Sequence, residues 1–335
     1  MSVITFMCGS GGPNYPWAGA EAEKGIGGSE ECVILLAREL VQQGHKVIVY
    51  NQCAGKTGYH MGVEYRNFVF ADKMETPDVM IAWRNWHHLK ERRAAHQFLW
   101  CHDIPASVHC PTLDEIAQGA LNHIDKVVVL NEYHKGLYMA AGIPEDKLAV
   151  IRIGIDQSMC GLPEGVIQRD PAKVLYFSHP GRGLHKLREY WPEIKRQVPE
   201  ATLASFWWEP EQFLPPDETL GILPMRSLNY QQIAVETFRA GIFGYPSVFA
   251  PEISPATTIK AQMGGAYPVV VIAGGMDETI HFGARTTHEH YIEAMVTALR
   301  QSLAGELEEE RSIMQKWARK IYSWPTSAEE WGKLW

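Results

Sequence analysis

The sequence lacks the cysteine patterns that build disulfide frameworks and zinc sites. Its six cysteines lie in the first half of the chain and never form a C-x-x-C pair; they are Cys8, Cys32, Cys53, Cys101, Cys110 and Cys160. Disulfide frameworks belong to oxidising compartments, and structural zinc sites use closely spaced cysteine pairs. We therefore expect reduced thiols in a cytoplasmic protein, without a disulfide framework or a zinc site.

The chain also lacks an excess of positive charge, a long apolar run and internal repeats. Its formal net charge is −8 over 335 residues, so no nucleic-acid-binding surface is indicated. No run approaches the roughly 20 apolar residues of a membrane span, and the first residues lack the basic segment of a secretory signal. What remains is the composition of a globular enzyme, 46% hydrophobic and 21% charged, at a length that favours two domains.

Short β-branched or aromatic runs alternate with segments of helical periodicity. The predicted strands are Val3–Cys8, Lys46–Tyr50, Asp78–Trp83, Gln97–His102, Lys126–Leu130, one within 142–156, Lys173–Ser178, Thr202–Trp208, Gly221–Pro224, Ser247–Ala250 and Tyr267–Ile272. The predicted helices include 29–43, 257–263, 287–304 and 305–320. This alternation predicts an α/β fold with parallel sheets. A loosely patterned stretch with glycine and proline, 157–172, predicts a boundary between domains 1–165 and 166–317.

Residues 247–272 are the stretch on which the functional interpretation depends. They read as a strand, a helix and a second strand, and the helix begins near Thr257 and Thr258 without an acidic residue in its first turn. Such a helix start presents unpaired N–H groups and a partial positive charge, which suit a phosphate. Lys260 lies just inside the helix. The alternative is an ordinary strand–helix–strand unit that binds nothing.

Further polar residues surround this helix start in the sequence pattern. Glu252 and Ser254 precede the helix, and Arg182 and Lys186 follow another predicted strand. A lone Arg–Lys pair reads more simply as a solvated basic turn. With the helix start beside them, however, two cations form a clamp for a diphosphate, while Glu252 can bind hydroxyls. The combination indicates a ligand with both hydroxyls and phosphates, such as a nucleotide sugar.

The first helix has the opposite charge pattern at its start. Glu30 and Glu31 lie in its first turn, where they complement the helix dipole and would repel a phosphate. The glycines before it, Gly25, Gly27 and Gly28, do not fit the G-x-G-x-x-G frame. This disfavours a nicotinamide-dependent oxidoreductase.

Polar residues follow three predicted strands in the first half of the chain. They are Arg84-Asn85, His102-Asp103 and Asn131. Because the carboxyl ends of parallel strands share one edge of a sheet, these residues would line one crevice. A histidine at a strand end is more often structural than catalytic, so both interpretations stay open.

Several aromatic and histidine residues allow two interpretations as well. Tyr15, Trp17, Trp83 and Trp86 could stack on sugar rings or simply pack within loops. His288 and His290 are alternately spaced but have no evident partners, so we predict a solvated turn and no metal site.

Taken in order, these motifs make the sequence resemble the family 4 retaining glycosyltransferases of the GT-B fold. The resemblance covers nearly the whole chain and rests on Gly25–Glu30, His102-Asp103, Ile153–Asp156, Ser178–Leu184, Glu252–Val270 and the tail beginning at Tyr322. It implies two Rossmann-like α/β/α domains that face a cleft, with a C-terminal helix in 318–335 returning to the first domain. One departure concerns the second glutamate of the Glu-x7-Glu motif, which usually holds the ribose and is Lys260 here.

The resemblance implies that a hexose passes from a UDP- or GDP-linked sugar to a glycan, a lipid-linked acceptor or another hydroxyl compound. The expected catalytic residues are His102, Arg182, Lys186 and Glu252; the donor-binding residues are Gly27, Gly28, Ser254, Thr257, Thr258 and Lys260; the acceptor-binding residues are Arg84, Asn85 and Asp103. We expect no metal and no cofactor beyond the donor substrate, and a lipid-linked acceptor would bring peripheral membrane association. The alternatives are a sugar-nucleotide epimerase or phosphorylase of the same fold and a non-catalytic protein that binds nucleotide sugars.

Overall fold

The structure, a computed structural model, describes residues 1–9, 16–21, 25–156 and 167–335. Residues 1–154 and 322–335 form one folding unit, unit 1, and residues 155–321 form unit 2. The predicted boundary at 165–166 lies outside the described residues, as do Tyr15 and Cys160. No helix in the described ranges is both long and apolar enough to cross a membrane.

The described elements are numbered along the chain. The strands are β1 (Val3–Met7), β2 (Lys46–Asn51), β3 (Gly58–His60), β4 (Val63–Asn67), β5 (Val79–Trp83), β6 (His96–Trp100), β7 (Lys126–Val129), β8 (Leu148–Val150), β9 (Asp170–Tyr176), β10 (Thr202–Ser205), β11 (Ala240–Tyr245), β12 (Tyr267–Val271) and β13 (Ala284–Thr286). The helices are α1 (Gly28–Gln42), α2 (Leu113–Ala117), α3 (Glu132–Ala140), α4 (Leu184–Gln197), α5 (Tyr230–Arg239), α6 (Ala256–Gly264), α7 (Met276–Thr279), α8 (Tyr291–Leu303), α9 (Glu308–Ile321) and α10 (Trp324–Gly332).

Unit 1 is built on a sheet with the strand order β3-β4-β2-β1-β5-β6-β7-β8. Neighbouring strands are parallel except for β3 and β4. Most of these strands were predicted, whereas β3 and β4 were not, because they are short and largely polar at the edge of the sheet. Helix α1 buries Val33, Leu36 and Leu40 completely, as its apolar periodicity predicted.

Unit 2 is built on a parallel sheet with the order β10-β9-β11-β12-β13. Its central strand β11 is fully buried and was not predicted, because Gly241 and Gly244 lower the β propensity of the run. Both glycines are required by close packing. A Cβ atom on Gly241 would lie 2.4 Å from the carbonyl oxygen of Pro171, and one on Gly244 would lie 3.0 Å from Val174.

Two predicted strands of unit 2 were wrong. Residues 247–250 form a loop after β11, in which the Ser247 hydroxyl accepts a hydrogen bond from the Phe249 amide (3.2 Å). Residues 221–224 pair with Leu203 only through an isolated bridge at Ile222. The strand–helix–strand unit is therefore β11-α6-β12, with a longer loop before its helix than the sequence indicated.

The C-terminal segment belongs to unit 1. Helix α10 packs against α1, and Ser327 Oγ donates a hydrogen bond to the carbonyl oxygen of Arg152 (2.8 Å). The Trp331 ring lies 5.5 Å from that of Trp100 on β6. Residues 322–335 thus complete the core of the first unit, whereas α9 remains in unit 2.

Candidate functional site

Three loops meet at the carboxyl edge of the unit 2 sheet. They follow β9, β11 and β12, which are parallel neighbours. The amide of Val248 donates to the carbonyl oxygen of Arg182 (3.2 Å), and the amide of Gly275 donates to that of Glu252 (2.7 Å). These bonds tie the loop that carries Arg182 and the loop that carries Glu252 into one structure at the position where parallel sheets bind ligands.

The carboxylate of Glu252 is the centre of this structure. Its Oε2 accepts a hydrogen bond from Arg182 Nη1 (2.7 Å), and its Oε1 accepts from Tyr245 (2.6 Å) and Ser247 (2.9 Å). Only 2% of the side chain is exposed. A buried carboxylate requires such partners, so Glu252 is held in place and in turn fixes Arg182.

Arg182 is oriented on two sides yet remains accessible. Its guanidinium lies 4.5 Å from the centre of the Phe249 ring, while 37% of its side chain stays exposed. Burial acts to lower the pKa of Arg182, but the neighbouring Glu252 and Tyr245 outweigh it and raise the pKa. The result is a permanent, pre-oriented cation, which suits bidentate recognition of a phosphate.

Gly183 allows the Arg182 loop to approach β11 closely. Its φ of +134° lies in a region that side-chain-bearing residues rarely adopt, and a Cβ atom there would lie 2.2 Å from the carbonyl oxygen of Pro246. The glycine after Arg182 is therefore required by both backbone conformation and space.

Helix α6 begins four residues after Glu252. Its N-cap, Pro255, provides no side-chain hydrogen bond, and its first turn contains no acidic residue. Thr258 donates from Oγ1 to the carbonyl oxygen of Pro255 (2.7 Å), whereas the buried Oγ1 of Thr257 has no hydrogen-bond partner. With Ser254 half-buried just before it, this helix start has no acidic side chain in its first turn, as the sequence indicated, and anion binding there stays a prediction.

The two lysines predicted for the site lie in different surroundings. Lys186 donates to Glu189 one turn further along α4 (2.8 Å), and both side chains are exposed. Lys260 is 8% exposed, and its Nζ lies 4.5 Å from the centre of the Tyr230 ring. The contacts at the sheet edge thus join Arg182 and Glu252, while Lys186 is engaged with Glu189 and Lys260 is buried against α5.

Unit 1 has a charged cluster at the carboxyl ends of β5 and β6. Arg84 binds Asp103 through two hydrogen bonds, from Nε to Oδ2 and from Nη2 to Oδ1 (2.9 Å for the second). Arg84 Nη1 also lies 3.7 Å from Oε1 of Glu30. The backbone of Arg84 has φ +62°, a left-handed conformation that costs energy for a residue with a side chain.

Two histidines and a tyrosine donate hydrogen bonds to the backbone carbonyl oxygens of this cluster. His134 Nε2 donates to the carbonyl oxygen of Asp103 (2.9 Å), which also accepts from Tyr138 (3.3 Å). His109 Nδ1 donates to the carbonyl oxygen of Arg84 (2.6 Å). Burial lowers the pKa of His134 to about 4, against the opposing influence of Asp103, so His134 is neutral at pH 7.

His102 lies between two tryptophans at the end of β6. Its ring is 4.6 Å from that of Trp100 and 6.1 Å from that of Trp83. Its buried Nε2 has no hydrogen-bond partner. Burial first, then Arg84 and His134, lower the pKa of His102 well below its ordinary value, so this ring is a neutral polar group in an aromatic setting.

The glycines and the acidic start of α1 adjoin the same cluster. Gly27 is the N-cap of α1, Gly28 is its first residue, and a Cβ atom on Gly27 would lie 2.1 Å from Oε2 of Glu30. Burial raises the pKa of Glu30, partly offset by its own backbone amide and by Arg84. Asn85 accepts a hydrogen bond from the His87 amide (3.0 Å) and caps a short turn. The Glu30 side chain thus occupies the start of α1, as the sequence predicted.

The whole chain is similar to solved glycosyltransferase structures. HepE from Anabaena, solved in complex with UDP and glucose, aligns with a TM-score of 0.70 at 18% identity over 99% of both chains. Sucrose-phosphate synthase from Thermosynechococcus elongatus aligns with a TM-score of 0.72 at 12% identity, over 100% of this chain and 98% of the other. Because the alignments cover 99% and 100% of this chain, they include both unit 1 and unit 2. The chain has the GT-B glycosyltransferase fold.

A third similar structure of this kind is AviGT4, a glycosyltransferase of avilamycin A biosynthesis, with a TM-score of 0.69 at 12% identity over 100% of this chain and 97% of the other. No protein-family profile and no curated protein sequence matches the chain. At these identities the likeness establishes the GT-B fold, and the activity has to be argued from the site.

For three aromatic residues of this GT-B chain the structure decides between the two interpretations that the sequence left open. Trp17, Trp83 and Trp86 are at most 2% exposed and pack in the interior. Residues 288–290 form a turn, as predicted, and Glu289 and His290 in it are exposed. The half-buried His288 does have partners: its ring nitrogens contact the Tyr190 hydroxyl and the Ser247 carbonyl oxygen, each at 3.1 Å. In the described ranges no three His, Cys, Asp or Glu side chains are grouped so as to hold a metal ion.

Sequence reasoning missed the residues that support the predicted ones. Tyr245 ends a strand that was not recognised, and Ser247 was assigned to a strand of its own. The only available signal for Tyr245 was its position after a buried run containing two glycines, which also fits a loop. His134, on helix α3, and His109, in a loop, gave no signal, because their partners Asp103 and Arg84 lie 31 and 25 residues away in sequence.

Proposed function

We propose that this protein is a retaining glycosyltransferase that transfers a hexose from a nucleoside-diphosphate sugar to a hydroxyl acceptor. The observation that carries the proposal is Arg182, which is fixed by the buried Glu252 and is still 37% exposed. Glu252 lies in the loop that leads into the start of α6. A cation and a helix start without an acidic residue in its first turn suit a diphosphate. The similar structures of HepE contain UDP or UDP-glucose, which favours a UDP-linked donor.

The proposed chemistry places negative charge on the leaving diphosphate when the bond to the anomeric carbon breaks. Arg182 and the α6 amides would stabilise that charge without reorienting, since Arg182 is already held in place. We propose that Glu252 acts mainly through Arg182, because both of its oxygens are engaged within the protein. Ser254, Thr257 and Thr258 would contact the donor, with Lys186 as an outer cation.

Unit 1 is proposed to contribute the acceptor side. Its cluster of Arg84, Asp103 and Glu30 offers one cation and two carboxylates, which suits neutral hydroxyl groups better than an anion. His102 is neutral and half-buried at the end of β6, and the proposal assigns it a hydrogen bond with a sugar hydroxyl. The proposal includes no metal and no cofactor other than the donor.

A nucleotide-binding screen tests this proposal. We expect one of UDP, GDP and ADP to raise the thermal midpoint of the wild type, because a ligand of the native state stabilises it by mass action. Arg182→Ala should bind that nucleotide about 100-fold more weakly, the usual loss of a charged hydrogen-bonding group. The exposed Arg196, which pairs with Glu193 on the same helix α4, provides the control: Arg196→Ala should bind like the wild type.

Activity then separates the enzyme from its alternatives. Sugar transfer that requires an added hydroxyl acceptor, with the anomeric configuration retained by NMR, supports the proposed reaction. Conversion of the donor without an acceptor would indicate an epimerase, and binding without turnover or hydrolysis would indicate a non-catalytic protein. Wild-type affinity in Arg182→Ala would contradict the site assignment.

A further inference from the structure

We propose that His288, held by Tyr190, is a positioning residue for the nucleotide-binding arginine of this protein. His288 fixes the loop that carries Phe249 and Glu252, and these two residues fix Arg182. The inference rests on the proposed function of Arg182 and assigns a role to a residue more than 100 positions further along the chain.

The hydrogen bonds of His288 define the orientation of its ring. The Ser247 carbonyl oxygen can only accept, so Nε2 at 3.1 Å carries the proton and donates. In the neutral ring Nδ1 is then an acceptor, and it receives the Tyr190 hydroxyl at 3.1 Å. With both nitrogens engaged by groups of different elements, the ring has one orientation and one tautomer.

His288 binds the backbone of Ser247, a residue whose other polar groups are also hydrogen-bonded. The Ser247 amide donates to the carbonyl oxygen of Tyr245 (2.9 Å), and its hydroxyl donates to Glu252 Oε1 (2.9 Å). Its hydroxyl also accepts from the Phe249 amide (3.2 Å). The carbonyl oxygen is the remaining polar group of this residue, and His288 binds it. All polar groups of Ser247 are therefore hydrogen-bonded, and these bonds fix the start of the loop after β11.

Contacts with this loop fix the position of Arg182. The Phe249 ring lies against one face of the guanidinium at 4.5 Å, and Glu252 binds its edge at 2.7 Å. The amide of Val248, next to Ser247, donates to the carbonyl oxygen of Arg182 (3.2 Å). A shift of the Ser247 carbonyl would therefore displace the groups that orient both the side chain and the backbone of Arg182.

Tyr190 connects this arrangement to the helices of unit 2. Its ring packs 5.5 Å from that of Tyr291, a fully buried residue at the start of α8. Tyr190 lies on α4, the helix that begins directly after the Arg182 loop. Helix α4, packed on α8 through these two tyrosines, thus positions His288. Among the described residues His288 forms its hydrogen bonds with Tyr190 and Ser247 and none with Arg182 or Glu252. Since phosphate recognition by arginine depends on the direction of its N–H groups, small displacements weaken binding.

Variants of His288 test the proposal through UDP affinity, measured by calorimetry, and through the separation of KM from kcat. His288→Ala should weaken UDP binding about tenfold, the usual effect of one lost hydrogen bond in a preorganised site. His288→Gln can place its amide NH2 where Nε2 lies and should recover most of the affinity. Tyr190→Phe should give an intermediate loss. His290→Gln, on an exposed histidine two residues away, is the matched control and should bind UDP like the wild type.

A positioning role predicts a higher KM for the donor together with a lower kcat in His288→Ala, and recovery of both in His288→Gln. Wild-type UDP affinity in His288→Ala, alongside the loss in Arg182→Ala, would overturn this inference and leave the proposed function intact. Equal losses in His288→Gln and His288→Ala would also overturn it. If His288→Ala does not fold, wild-type affinity in Tyr190→Phe would overturn it instead. Failure of the wild type to bind any nucleoside diphosphate would overturn both proposals.

Discussion

The two units each place an arginine–carboxylate pair at the carboxyl edge of a parallel sheet, and the pairs differ in their surroundings. In unit 1 Arg84 binds Asp103 through two hydrogen bonds, and 30% of the Asp103 side chain is exposed. In unit 2 Arg182 binds Glu252 through one, and Glu252 is almost completely buried. The first carboxylate is therefore open to water and the second is part of the interior.

The charge around the two arginines differs as well. Glu30 adds a second carboxylate beside Arg84, at the start of helix α1. Around Arg182 the added partners of the carboxylate are the neutral Tyr245 and Ser247, and α6 begins without an acidic residue. The same pairing of an arginine with a carboxylate thus gives a site with excess negative charge in unit 1 and one that lacks this excess in unit 2. This difference is the physical basis of our proposal that the donor binds to unit 2.

The largest effect should come from removing one charge from each carboxylate. Glu252→Gln should lower the free energy of unfolding by about 3 kcal/mol, because the buried carboxylate that accepts hydrogen bonds from Arg182, Tyr245 and Ser247 loses its charge and one acceptor oxygen. Asp103→Asn should cost only about 1 kcal/mol, because water can replace the lost bonds. Urea denaturation of both variants at pH 7 measures the contrast. Equal losses would mean that the two carboxylates are not distinguished by burial.

Acid should act mainly on unit 1. Burial lowers the pKa of His88 and of His134 to about 4, below the value near 6.5 of an unfolded chain. Between these pH values the unfolded chain binds more protons, so the free energy of unfolding falls as the pH drops from 6.5 to 4. The raised pKa of Glu30 acts in the opposite direction.

His134→Gln should remove roughly 2 kcal/mol of this pH dependence, because one pKa unit corresponds to about 1.4 kcal/mol. The measurement compares urea midpoints at pH 7 and pH 4.5. His185→Gln, on an exposed histidine of unit 2, should leave the pH dependence unchanged. An unaltered difference in His134→Gln would show that other groups control the acid response.

The backbone of Arg84 provides a smaller and more specific test. Arg84→Gly and Arg84→Ala both lose the bonds to Asp103, but at φ +62° glycine avoids a strain of about 1 kcal/mol that alanine retains. We expect Arg84→Gly to be more stable than Arg84→Ala by that amount. At Arg66 on β4, where the backbone is extended, the order should reverse. The same order at both positions would remove the argument for strain at Arg84.

The sequence predicted the parts of the fold and site that are encoded locally. Most of the predicted strands and helices appear where they were expected, as do the acidic start of α1 and the start of α6 without acidic residues. Arg84 and Asp103 were placed at one sheet edge, and the structure joins them. These features depend on residues close together in sequence or on the simple rule that parallel strands end at the same edge.

The remaining features depend on tertiary packing. Strand β11 was missed because it contains Gly241 and Gly244, which allow close contacts with other segments. The strand wrongly predicted at 247–250 meant that the roles of Tyr245 and Ser247 were not recognised. His288 lies 41 residues from Ser247, so no periodicity or spacing could connect them. The expected contact of Lys260 with a ribose or phosphate stays a prediction, and its contact with Tyr230 was not foreseen, because Tyr230 comes from another helix.

The contact of Lys260 with Tyr230 has the smallest expected effect and extends the comparison to two cations within unit 2. Lys260 is 8% exposed and Arg182 is 37% exposed, and each lies 4.5 Å from the centre of an aromatic ring. Because a cation–π contact strengthens as water is excluded, the coupling energy should be about 1 kcal/mol for Lys260 with Tyr230 and about 0.5 kcal/mol for Arg182 with Phe249.

Double-mutant cycles in urea, with Lys260→Met and Tyr230→Leu in one and Arg182→Met and Phe249→Leu in the other, measure these energies. A larger coupling for Lys260 would mean that its charge is used inside unit 2, which explains how a lysine can occupy the position of a ribose-binding glutamate without contacting the ribose. In that case Lys260→Met should keep most of the UDP affinity of the wild type. No coupling with Tyr230, together with a large loss of UDP affinity in Lys260→Met, would instead place the ammonium group on the nucleotide.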